Sequence, residues 1–99
     1  MGNTLKIKNM KLNFNKSLQN LDNSEIENSN MGKLLANVLS QANTGEPVKC
    51  WEMSLKLFKG EELEVDTTDR EMLESTIKAS QGLTNAGKAQ LLLVIKNAQ

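Results

Sequence analysis

Residues 91–95 read Leu-Leu-Leu-Val-Ile, five apolar side chains in succession near the end of a 99-residue chain. A helix turns about 100° per residue, so five consecutive positions run past a full turn and no single buried face covers them all. Either this helix is enclosed within its own domain, or its outer side meets another chain. A chain this short buries roughly 60–65% of its unfolded surface, which makes full enclosure of a last helix hard to arrange. An interface is therefore expected at Leu91, Leu92, Val94 and Ile95, with a purely internal core as the alternative.

The supply of other core material is thin. Two Phe, one Trp and no Tyr leave an aliphatic core enriched in the five Met residues. Marginal core volume favours burial of some apolar surface against another subunit. The length fits one domain, expected over residues 10–99, with residues 1–9 as an extended or disordered leader.

Absences narrow the chemistry. The chain has no histidine and one cysteine. Histidine is the usual general base near neutral pH and the commonest metal ligand, so Ser-His-Asp and Cys-His arrangements are excluded, as is a His-containing zinc site. A lone thiol excludes an internal disulfide and a structural Cys cluster. No catalytic, metal or cofactor site is expected, and the protein is read as a binder and not an enzyme.

Formal charge is zero but unevenly spread. Lys6, Lys8, Lys11 and Lys16 stand without acids in the first twenty residues, whereas Glu61, Glu62, Glu64, Asp66, Asp69, Glu71 and Glu74 face Arg70 alone. These acids form either a solvated segment around a helix start or a patch for a basic surface. A pI near 6.3 argues against nucleic acid as partner. The acids lack the spacing of a calcium loop. No segment reaches the ~18 apolar residues of a membrane span, and no signal-peptide core is visible. Met1-Gly2 fails as a myristoylation start because Lys6 stands where Ser or Thr is needed. The expected compartment is the cytoplasm.

Along the chain, Leu5 and Ile7, then Met10, Leu12 and Phe14, alternate as strands do, with a phase switch between the two sets that predicts a bulge or two strands. Asp22-Asn23 suits a tight turn, and residues 25–27 form the return strand. Asn30 caps a helix with apolar residues at Met31, Leu34, Leu35, Val38, Leu39 and Ala42, a single buried face. Pro47 and Gly60 bracket a second helix. That helix carries two stripes, Val48/Trp51/Leu55/Phe58 and Cys50/Met53/Leu57, which predicts packing on both sides. Leu63 and Val65 point inward from a short strand joining the N-terminal sheet. Thr68 to Glu71 reads as a capping box for a helix ending near Gly82, and Thr84 caps the last helix. The fold class is α+β: an N-terminal β-hairpin or small sheet packed on about four short helices.

Cys50 follows Pro47 in a first helical turn, which mildly favours a thiolate. No base adjoins it, however, so it reads as a small buried hydrophobe. Trp51 is expected as a core anchor, with an interface hot spot or a base-stacking platform as the other readings. Gly32 and Gly87 fall in helix first turns, where free N–H groups would meet an anion.

Leu12-Asn13-Phe14, Leu21-Asp22-Asn23, Gly32-Lys33-Leu34-Leu35-Ala36, Leu57-Phe58-Lys59-Gly60-Glu61-Glu62-Leu63 and Lys88-Ala89-Gln90-Leu91-Leu92 together resemble small proteins of tailed bacteriophages and prophages. In those, a short β-turn segment precedes a run of helices. The resemblance spans residues 10–96, concerns layout and caps, and transfers no activity to any residue. It implies a phage or prophage setting and no activity; with the apolar run at 91–95, the expected function is a homo-oligomer that occupies a host protein in an accessory or counter-defence role. Two other readings stand beside it. One is a sponge holding a nucleotide-like ligand between subunits, with Lys88 and the N-terminal lysines on its phosphate. The other is an assembly or virion accessory protein.

Overall fold

In the computed structural model, which describes residues 9–98, the chain runs β1 (Met10–Leu12), β2 (Ser17–Gln19), β3 (Glu25–Asn30), α1 (Met31–Gln41), α2 (Pro47–Phe58), β4 (Leu63–Val65), α3 (Thr67–Ala79) and α4 (Asn85–Asn97). The α+β arrangement of small N-terminal sheets and four helices is the one the sequence predicts. The Leu5/Ile7 alternation and all of the expected 1–9 leader except Asn9 lie outside the described residues.

The β-structure is split into two antiparallel pairs. β1 joins β4 with Met10 opposite Val65 and Leu12 opposite Leu63. Period-two alternation sends Leu12, Leu63 and Val65 into the core and leaves Glu64 outside. β2 and β3 form the hairpin, with an irregular register between Ser17 and Gln19. At its tip Asn23 takes φ 71°. There the Asp22 carboxylate accepts both the Ser24 N–H at 3.0 Å and the Ser24 hydroxyl at 2.6 Å. These bonds, the hydroxyl's above all, hold the Asp22 carboxyl below the usual carboxylate range.

The helix ends follow local chemistry. Asn30 accepts the Lys33 N–H at 3.0 Å, and Glu46 accepts that of Lys49 at 2.8 Å ahead of Pro47. Thr84 accepts the Gly87 N–H at 3.1 Å. The capping box of α3 is displaced from the predicted Thr68/Glu71 pair to Asp66/Asp69. Asp66 accepts from the Asp69 N–H at 2.8 Å and Asp69 returns the bond at 3.3 Å. Asp caps at least as well as Thr, so the helix begins two residues earlier.

Packing centres on α1 against α2. Gly32 permits the contact, because a Cβ there would stand 2.7 Å from the Leu57 carbonyl oxygen. One cluster then joins Leu12 and Phe14 to Leu35 and Leu39 of α1, Leu57 of α2, Leu73 and Ile77 of α3, and Leu91 and Ile95 of α4. Gln90 fastens the hairpin to α4. Its side-chain amide accepts the Gln19 N–H at 2.8 Å and donates to the Gln19 carbonyl at 3.0 Å, satisfying edge-strand groups that would otherwise face water.

Candidate functional site

The run at 91–95 is mostly internal. Leu91 and Ile95 are fully buried, Leu92 and Val94 are half-buried against the core, and Leu93 alone is exposed. Leu91 and Ile95 thus present no surface to a partner, which corrects the expected interface at those two positions. The helix is enclosed because the hairpin, α3 and the central cluster meet it from several sides.

The uncovered apolar surface lies on α2 instead. Its inner face, Cys50, Met53, Ser54 and Leu57, is buried. The opposite stripe is not: Val48 is 63% exposed, Trp51 57%, Leu55 43% and Phe58 54%. The expectation that α2 packs on two sides, with Trp51 as a core anchor, is corrected. α2 rests on α1, touches β4 and meets α3 through Lys49–Asp69 and Cys50–Met72, while the four side chains of its outer stripe remain 43–63% exposed. Spacings of three, four and three residues place the four side chains on one line along the helix. Lys33 of α1 stands 5.3 Å from the Phe58 ring centroid and gives that end of the line a cationic border.

Sequence reasoning found the stripe but assigned it to the core. The signal that would have separated the faces is volume, since so few aromatic residues cannot fill two layers around one helix. Both stripes are equally periodic, so periodicity cannot choose between them.

The acids do not form one outward patch. Glu61, Glu62, Glu64 and Glu71 are exposed, Asp66 and Glu74 are half-buried, and Asp69 is buried. Asp66 and Asp69 are engaged in the capping box, and Asp69 also holds Lys49 at 2.6 Å. That bond raises the Lys49 ammonium above its usual range, and the Asp69 N–H holds the Asp66 carboxyl below its own. A partner-facing position is corrected for buried Asp69, whereas Glu61, Glu62, Glu64 and Glu71 stand at the surface.

The first-turn glycines are not free for an anion either. Gly32 donates its N–H to the Phe14 carbonyl at 2.9 Å, and Gly87 donates to Thr84. Lys88 is spent on the end of α3, its ammonium donating to the Lys78 carbonyl at 2.9 Å. Of the lysines considered for a phosphate, Lys11 and Lys16 line a shallow groove of about 460 Å³, with Glu25 on the same wall opposing their charge. A larger groove, about 560 Å³, between α1 and the α3–α4 turn is lined by amides, hydroxyls and aliphatic groups with no charged side chain. Cys50 is buried, and desolvation pushes its thiol above the ordinary range. The thiol points at the thioether sulfur of Met72, 3.9 Å away.

No protein-family model, curated protein or solved structure matches this chain. The surface itself carries the functional reading.

Proposed function

We propose that this protein is a non-enzymatic binding domain that docks a protein through the outer face of α2. One observation carries the reading: Val48, Trp51, Leu55 and Phe58 stand exposed on a single line, although the core closes without them. Single exposed apolar residues are ordinary, whereas a contiguous apolar line is the usual mark of an interaction surface. Trp at its middle fits the residue preference of binding hot spots. An amphipathic helix offering anchors at such spacings is a recurrent recognition mode. The lack of histidine and the buried, protonated thiol support binding over catalysis. In the phage setting that the layout resemblance implies, a host protein and a second copy of the chain are the candidate occupants.

The test is photocrosslinking in cells that produce the full chain. A photoreactive residue at Val48 should capture protein, of any identity, far more than one at exposed Lys78. Capture should fall when Trp51→Glu is added. Equal capture at both positions, or capture indifferent to Trp51→Glu, removes the reading.

A further inference from the structure

We infer that the occupant of the α2 face is a second copy of this chain, docked antiparallel about a twofold axis level with Met53. The inference rests on the docking reading above and names its partner. Val48 and Phe58 lie five residues either side of Met53, and Trp51 and Leu55 lie two either side. Reversing the helix therefore maps the line onto itself, setting Val48 against the partner's Phe58 and Trp51 against the partner's Leu55. An isologous interface requires this self-complementarity.

Charge selects the same direction. Lys49 is paired with Asp69, the one ion pair among the described residues. The N-terminal half of α2 is then left with Glu52, the Glu46 carboxylate at the N-cap being taken up by the Lys49 N–H. The C-terminal half has Lys56, joined by Lys33 over Phe58 and by Lys59 at the C-cap, with Glu61 and Glu62 beyond the helix end. Antiparallel docking sets acidic half against basic half and the positive end of each helix dipole beside the negative end of the other. Parallel docking stacks like on like. Four side chains of this size and exposure offer roughly 400 Å² per protomer, about half of a standard interface, so the dimer is weak and reversible.

The experiment has two parts. Sedimentation velocity of the full chain from about 1 to about 500 µM should show a monomer–dimer equilibrium. Trp51→Glu should weaken it at least about thirtyfold while leaving the circular dichroism of the monomer unchanged. In a Cys50→Ala background, tagged Val48→Cys and untagged Phe58→Cys proteins are then mixed and oxidised. Antiparallel docking gives 48–58 disulfides. It forbids 48–48 and 58–58 bonds, because like positions are about 15 Å apart along the axis and a disulfide needs Cβ atoms about 4 Å apart. Like-with-like disulfides overturn the arrangement. A monomer at every concentration overturns the inference, and foreign adducts at Val48 in the crosslinking test would then leave the docking reading standing. Absence of any adduct at Val48 removes both.

Discussion

Asp69 receives the Lys49 ammonium on Oδ1 at 2.6 Å and, on Oδ2, the Asp66 N–H at 3.3 Å. One buried carboxylate thus joins the start of α2 to the start of α3. Asp69→Ala removes both bonds and leaves an orphaned N–H at a helix end, a loss of about 1–2 kcal/mol. Lys49→Met removes only the half-exposed ion pair and should move the urea midpoint much less. Equal losses would mean that the ion pair, and not the cap, holds the two helices together.

Asp66 gives this part of the fold a pH dependence. Its folded-state pKa is depressed, chiefly by the Asp69 N–H, so near that value the unfolded chain binds more protons than the folded one. Its contribution is complete above the unfolded value of about 3.9 and is lost as pH falls through the folded value. Asn caps as well as Asp but carries no titrating charge. Wild type should therefore hold its advantage over Asp66→Asn from neutral pH down to about pH 4 and lose it progressively in more acid solution, measured by urea unfolding at each pH. A difference that stays constant with pH contradicts the assignment.

Gly32→Ala ordinarily gains helix propensity, about 1 kcal/mol. Here the added Cβ meets the Leu57 carbonyl oxygen at 2.7 Å, a backbone atom with no rotamer to relieve it. Separating α1 from α2 costs about 1–3 kcal/mol, so net destabilisation is expected. A raised melting temperature would show that the helices have slack at their crossing.

The apolar run of α4 divides sharply by position. Leu91→Ala empties a fully buried site and should cost about 2–5 kcal/mol. Leu93→Ala, at a 48% exposed site, should change stability by about 0.5 kcal/mol or less. Similar losses at both, in chemical denaturation, would mean that Leu93 is covered in solution.

Cys50 should react slowly with a thiol-specific reagent at neutral pH, since burial both shields the sulfur and keeps it protonated. Urea should raise the rate to that of a free thiol. Fast labelling of the folded protein would indicate local opening of the first turn of α2.

Most of the fold was legible because its punctuation is local. Asn30, Pro47, Gly60 and Thr84 act through bonds to residues three or four away, or through their own φ, and they stand where the pattern placed them. Leu63 and Val65 were readable as inward for the same reason, strand alternation being local. The capping box failed by two residues because Thr68-x-x-Glu71 and Asp66-x-x-Asp69 are competing local solutions, and tertiary placement of Asp69 beside Lys49 favoured the second. The exposed stripe of α2 was assigned to the core for a different reason. Trp51 and Leu57 each sit on a regular apolar stripe of α2, and only the location of α1 decides which stripe is covered. Likewise the enclosure of Leu91 and Ile95 depends on a hairpin held to α4 by Gln90, a long-range bond that no spacing announces.

The pairing of β1 with β4 has a consequence for the newborn chain. β2, β3, α1 and α2 all leave the ribosome before β4, the only described strand that pairs with β1, follows them out. Until Leu63 arrives, Leu12 lacks its cross-strand neighbour and the underside of the early helices stays wet. A nascent chain arrested with Leu63 still inside the exit tunnel should therefore hold apolar surface open to chaperones that the released protein does not offer.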